Sequence, residues 1–274
     1  MTMTQIAFIG GGNMATSIIG GLLKQGDTHP DLIHVSDPSE EQRERLRTEF
    51  GVQCHADNDT AIAKADVVIV AVKPQVMKTV LEPLRATLSQ QQPLIVSIAA
   101  GINMASLARW SGCEAIVRCM PNTPSLLSLG ATGLFASDHV SLDQRNMADA
   151  MMRAVGIAVW VQSEAEIDAV TALSGSGPAY YFLLMESMIK AAQNMGLSEK
   201  TATQLTLQTA LGAGQMAASA DVGPAELRRR VTSPGGTTEQ AIRQFEQADF
   251  TNIVATAMNA AQQRAAELSQ QLAD

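Results

Sequence analysis

Continuous apolar runs of strand length alternate with helical stretches through the first part of the chain. Gln5-Ile6-Ala7-Phe8-Ile9 is followed by Ile18, Ile19, Leu22 and Leu23 at helical spacing, and Leu32-Ile33-His34-Val35 by a charged stretch from Glu40 to Phe50. Val67 to Val72 is an unbroken, largely β-branched run, the pattern of a parallel strand covered on both faces. Leu94 to Ile98 and Ile116 to Met120 repeat it, and Gly133-Leu134-Phe135 and Ile157 to Val161 read as two closing strands. Strand, helix, strand in this order predicts a doubly wound α/β sheet ending near residue 162.

From Ser163 the apolar spacing becomes helical throughout. Asp168 leads into Val170 to Leu173, Ser174-Gly175-Ser176-Gly177-Pro178 reads as a loop, and Pro178 suits the first position of a long helix through Met188. Ser198 caps a further helix to about Ala220, and Pro224 begins a short one. The stretches 180–192 and 203–218 are apolar on most faces, so they must be covered. A domain this small cannot cover them alone, which implies a second copy of the chain. The expected division is residues 1–162, a dinucleotide-binding domain, and 163–274, an all-helical domain for dimerisation and substrate binding.

Composition narrows the partners. Hydrophobic content is 46% and charged content 17%, enough apolar mass for a sizeable core. A net charge of −8 argues against nucleic acid. Arg228-Arg229-Arg230 is the one cationic run and reads as a solvated face. Cys54, Cys113 and Cys119 have no metal spacing and form an odd set, which fits a reducing compartment. Met1-Thr2-Met3-Thr4 carries no cationic region and the apolar run after it stops at Gly10, so neither a signal peptide nor a membrane span is expected. The expected location is the cytoplasm.

Two stretches carry chemistry. Gly10-Gly11-Gly12-Asn13-Met14-Ala15 is G-x-G-x-x-A placed between a strand and a helix. Gly10 permits the tight turn, Gly12 lets a pyrophosphate approach the backbone, and Ala15 lets helix and strand pack closely, the Rossmann dinucleotide signature. The second strand ends in Ser36-Asp37-Pro38, with Arg43 and Arg45 beyond. An acidic residue there suits the ribose of NAD and a hydroxyl or arginine the 2′-phosphate of NADP, so the residues leave both open.

The other stretch is Ser233-Pro234-Gly235-Gly236-Thr237-Thr238-Glu239-Gln240, a turn delivering a helix, with Thr237 and Gln240 at capping-box spacing. Its bare N–H groups and hydroxyls make a seat for a small carboxylate. All four histidines lie before residue 163, and residues 163–274 hold no His or Cys. There is no HExxH, no Ser/His/Asp set, and Tyr181 stands where 3-hydroxy acid dehydrogenases place a lysine. Alcohol oxidation through a strong base is therefore poorly supported. Imine reduction fits better, because an alkyl iminium is already protonated near neutral pH and needs orientation, an anion seat and one modest proton donor.

Phe8 to Ala15, Ala71-Val72-Lys73-Pro74, Ser97 to Ile102, Met120-Pro121-Asn122-Thr123-Pro124, Leu173 to Tyr180 and Val231 to Thr238 together resemble the pyrroline-5-carboxylate reductase family, in that family's order. The resemblance implies reduction of 1-pyrroline-5-carboxylate to L-proline by NADPH, with NADH possible, in a homodimer interlocked through its helical domains and often assembled into a pentamer of dimers. It implies that Ser233, Gly236, Thr237 and Thr238 bind substrate, with Thr238 the catalytic donor. Gly10, Gly12, Asn13 and Met14 would line the pyrophosphate, Ser36 and Asn58 the adenosine ribose or its phosphate. Val72, Lys73 and Pro74 would lie along the cofactor and Ala99 near the nicotinamide, with Asn122 and Thr123 close by. Asp37 departs from the hydroxyl or basic residue of NADPH-preferring members. The rival readings are a Rossmann reductase of a related cyclic imine and a nucleotide-bound sensor without turnover.

Overall fold

The computed structural model describes residues 4–26 and 28–272. The residues read above for the absence of a leader fall mostly on Met1–Met3, outside the described ones. Among the described residues eight strands form one sheet in the order β3-β2-β1-β4-β5-β6-β7-β8. They are β1 (Ile6–Ile9), β2 (Ile33–Ser36), β3 (Gln53–His55), β4 (Val67–Val70), β5 (Leu94–Ser97), β6 (Ile116–Met120), β7 (Gly130–Ala136) and β8 (Gly156–Trp160). All neighbours run parallel except β6 and β7.

The apolar runs are continuous because alternate residues serve two cores. Ile6, Phe8, Val67, Ile69, Leu94 and Val96 point to one face, against Ile18, Ile19 and Leu22 of α1 (Asn13–Gln25). Ala7, Ile9, Val68, Val70 and Ile95 point to the other, against Leu81, Leu84 and Leu88 of α4 (Met77–Gln91) and Trp110 of α5 (Met104–Ser111). Full burial of each such side chain stabilises the fold by about 1.5–3 kcal/mol, so the register Ile6↔Val67 and Ile6↔Ile33 is fixed by both layers at once. The intervening helices are α2 (Glu40–Phe50), α3 (Asn58–Ile62) and α6 (Leu142–Arg153). Strand β3, Gln53-Cys54-His55, is short and has no apolar alternation, and it lies on the open edge of the sheet.

After β8 come α7 (Glu164–Val170), α8 (Gly177–Asn194), α9 (Glu199–Ser219), α10 (Pro224–Arg230), α11 (Thr237–Gln247) and α12 (Phe250–Gln271). The expected loop at Ser174 to Pro178 is not a loop. Thr171–Gly175 is a π-helical turn, closed by the Ser176 N–H on the Thr171 carbonyl at 2.8 Å, and α8 starts at Gly177 with Pro178 second. Proline fits there because first-turn N–H groups have no intrahelical acceptor.

By compactness the chain forms two units, Met1–Ser176 with Ala260–Asp274, and Gly177–Asn259. The boundary expected at residue 162 falls just ahead of α7, which packs on β6 and β7 within the first unit. In the second unit α8 and α9 pack on each other. Among the described residues no helix is long and apolar enough to cross a membrane.

Candidate functional site

Strands β1 to β6 all end at one edge, and that edge collects the expected nucleotide residues. Gly10 follows β1 at φ +95°, a conformation that favours glycine, and its N–H donates to the Ser36 carbonyl at 2.8 Å. A Cβ there would stand 2.8 Å from the Ala71 carbonyl oxygen, so no larger residue fits. Gly12 is the N-cap of α1 with no side-chain cap, and nothing lies within 4 Å of where its Cβ would be. The helix thus offers its first N–H groups to open space, while Ala15 is buried beneath. Asn13 is exposed and Met14 half-buried on the same first turn. This cradle fits a pyrophosphate: the backbone can be approached and the dipole favours negative charge.

Across the edge, Val72 and Lys73 follow β4, and Pro74 opens a 3-10 turn, Pro74–Val76, that Lys73 caps. Ala99 follows β5, buried, its N–H donating to the Ser97 hydroxyl at 3.4 Å. Asn58 begins α3, with Asp57 capping the helix through the Thr60 N–H at 2.8 Å. These positions lie on both sides of the β1/β4 switch point, where open α/β sheets bind ligands.

Ser36 takes a different place from the one expected for its side chain. It is 1% exposed and its hydroxyl donates to the Phe8 carbonyl at 3.3 Å, inside the sheet. The group that comes forward is Asp37. Its Oδ2 accepts the Gly11 N–H at 2.9 Å and its Oδ1 the Ser39 N–H at 2.9 Å. The Gln42 amide donates to the Gly11 carbonyl, and Arg43 donates to the Asp37 carbonyl at 2.7 Å. The acid at the strand tip therefore clamps the glycine turn to the next loop.

Near the ends of β6 and β7 lies a lock that sequence reasoning did not resolve. Asn122 is 9% exposed; its Nδ2 donates to the Ser174 carbonyl at 3.0 Å and its Oδ1 accepts the Ala131 N–H at 2.9 Å. One amide thus ties the π turn, the start of β7 and the end of β6. Thr123 beside it is exposed. Arg118, buried on β6, pairs with Glu164 at 2.6 Å, and the same carboxylate oxygen accepts the Met104 N–H at 2.6 Å. Burial raises the Asp168 carboxyl above its ordinary range, opposed by Arg118.

In the second unit, Ser233 to Thr238 forms the turn into α11. Gly235 sits at φ +70°, and the Gly236 N–H donates to the Ser233 carbonyl at 3.0 Å. The expected capping pair is not formed: Gly236 is the N-cap, without a side-chain bond, and Thr237 is the first helical residue. Starting one residue earlier than the pattern implies leaves the Thr237 and Thr238 hydroxyls outside the capping role. Glu239 instead reaches back and accepts the Gly235 N–H at 2.8 Å. The Arg228-Arg229-Arg230 run is exposed, with Arg229 and Arg230 both on Glu226 at 2.7 and 2.9 Å.

Among the described residues no group of three or more His, Cys, Asp or Glu is placed to hold a metal ion. Burial pushes the Cys113 thiol up to about 11 and Cys119 higher still, so neither is poised as a nucleophile.

A glycine turn at the switch point of a largely parallel sheet, followed by an all-helical unit, is the layout of a pyridine-nucleotide oxidoreductase of the Rossmann class. Residues 5–101 match the family "NADP oxidoreductase coenzyme F420-dependent", and residues 164–268 match "Pyrroline-5-carboxylate reductase dimerisation". A pyrroline-5-carboxylate reductase of Pseudomonas aeruginosa is 56% identical over 273 residues, 99% of each chain. The solved reductase of Coxiella burnetii superposes with a TM-score of 0.93 at 46% identity, covering 98% of this chain and 99% of that one. That of Plasmodium falciparum, solved with NADP bound, gives 0.85 at 28%, over 98% and 99%. The chain belongs to the pyrroline-5-carboxylate reductase family, and it is an oxidoreductase that converts pyrroline-5-carboxylate to proline.

Proposed function

We propose that NADPH and NADH both serve as hydride source, and that the residues expected from the sequence divide the work as follows. Gly10, Gly12, Asn13 and Met14 hold the pyrophosphate, and Asn58 with the β2–α2 loop faces the adenosine ribose. Val72, Lys73, Pro74 and Ala99 carry the rest of the nucleotide toward the nicotinamide. The observation that carries this reading is the open N-terminus of α1 above Gly12, bounded by a Gly10 whose Cβ has no room. The nucleotide, when bound, supplies a hydride to the imine carbon.

The chain's own residues then have two tasks. Ser233, Gly236, Thr237 and Thr238 seat the carboxylate and orient the ring. Thr238 stands beside the ring nitrogen, keeping a proton there directly or through a water, so that hydride and proton together convert C=N to CH–NH. The nitrogen's own basicity supports so modest a donor. Residues 163–274 act as one module for dimerisation and substrate binding, the dimers assemble into a pentamer of dimers, and the enzyme works in the cytoplasm, where its three free cysteines stay reduced.

The test is steady-state oxidation of NADPH and of NADH with pyrroline-5-carboxylate. Turnover with both is the expected result, and the ratio of the two kcat/KM values reads how Asp37 at the strand tip meets the 2′-phosphate. A folded, nucleotide-binding protein that turns over with neither would overturn the site assignment. A six-membered cyclic imine should be a poor substrate.

A further inference from the structure

We infer that Glu239 is a positioning residue of the substrate loop: by accepting the Gly235 N–H it fixes the turn that presents Ser233 and the start of α11 to a carboxylate. The inference rests on the reading of Ser233 to Thr238 as the carboxylate seat. Two adjacent glycines give this turn its shape, and they also give it the largest conformational freedom to lose. Gly236 is pinned by its N–H on the Ser233 carbonyl. Gly235, at φ +70°, has the Glu239 carboxylate on its N–H at 2.8 Å. Without that carboxylate the Gly235 peptide can rotate, and the Ser233 hydroxyl moves with it.

The placement also decides which N–H groups remain. Thr237, Thr238 and Glu239 are the first three residues of α11, whose N–H groups have no intrahelical acceptor. Glu239 fills the N–H just outside the helix and leaves those within it for the ligand. Its side chain lines the cleft between α10 and α11, with Arg228, Thr232 and Arg243. Arg228 and Glu246 pair at 3.8 Å across the same two helices, so the cleft is tied at its loop end by Glu239 and further along α11 by this pair. A glutamine could make the Glu239 bond through its carbonyl oxygen; an alanine could not.

The experiment compares E239A and E239Q in steady state. E239A should raise the KM for pyrroline-5-carboxylate about tenfold, the scale of one charge-assisted hydrogen bond, with kcat and the nucleotide KM within about twofold of wild type. E239Q, whose neutral carbonyl makes the same but weaker bond, should bring the substrate KM back to within about threefold of wild type. A wild-type substrate KM in E239A, an equal rise in the nucleotide KM, or an E239Q as impaired as E239A would overturn the inference. If E239A does not fold, E239D keeps the charge but not the reach and should raise the same KM. S233A separates the underlying reading: an unchanged substrate KM there, beside a raised one in E239A, removes the hydroxyl seat and leaves Glu239 as the loop's anchor.

Discussion

Thr238 and Asp37 make opposite demands on their neighbours. Thr238 sits in the second position of α11, where its hydroxyl is not spent on a cap; in the mechanism proposed above that weakly acidic hydroxyl only has to keep the proton on the imine nitrogen. T238A should therefore lower kcat about 100-fold, the low end for a positioned proton donor, with nucleotide affinity unchanged; an unaltered kcat removes Thr238 from the chemistry. Asp37 works through the backbone, with one carboxylate oxygen on Gly11 and the other on Ser39. D37A frees both N–H groups and the turn between them, so the KM for NADH and NADPH should rise about tenfold or more. D37N keeps one acceptor oxygen and should fall between. If D37A left both nucleotide KM values at wild type, the clamp would have no bearing on binding.

At the scale of elements, two contacts hold parts of the chain that the apolar pattern treats separately. Asn122 joins the ends of β6, β7 and the π turn with one buried amide. N122A leaves a half-buried carbonyl and N–H without their amide partner, at about 1 kcal/mol each, and should lower Tm and slow turnover together. Loss of neither would show the lock is idle. On the sheet edge, His34 and His55 join β2 to β3 through a 3.1 Å ring-nitrogen contact. Burial, their mutual proximity for His34, and Lys64 or Arg47 lower both imidazoles below 6.5, with Asp57 opposing at His55. The unfolded chain then binds more protons than the folded one below 6.5, so stability is full at higher pH and falls as pH drops through that window. H34Q should flatten the fall in Tm between pH 7.5 and 5.5. The strands of the central sheet and the glycine turn were readable in the sequence because burial on two faces and φ > 0 leave a residue-level mark. The π turn and the inward Ser36 hydroxyl were not, because each depends on partners far along the chain: Asn122 against Ser174, Ser36 against Phe8.

The whole molecule is left unfinished by a single chain. Helices α8 and α9 expose Tyr181, Phe182, Leu183, Leu205, Leu207 and Leu211, while in α8 only Gly177 is fully buried. Soluble monomers rarely carry a contiguous apolar patch beyond a few hundred Å², and residues 164–268 match the dimerisation family. In a two-fold interface each substitution counts twice. L183E with L211E would place four carboxylates in an apolar contact, and each leucine lost forfeits about 2 kcal/mol of burial. Light scattering at micromolar concentration should then report a monomer where the wild type is a dimer or larger. If the interlocked dimer brings the substrate loop of one chain to the nucleotide domain of its partner, turnover should be lost with the dimer while nucleotide binding persists. An L183E/L211E protein that remained dimeric would exclude this face from the interface. A monomer that kept full kcat would show that one chain builds the whole site.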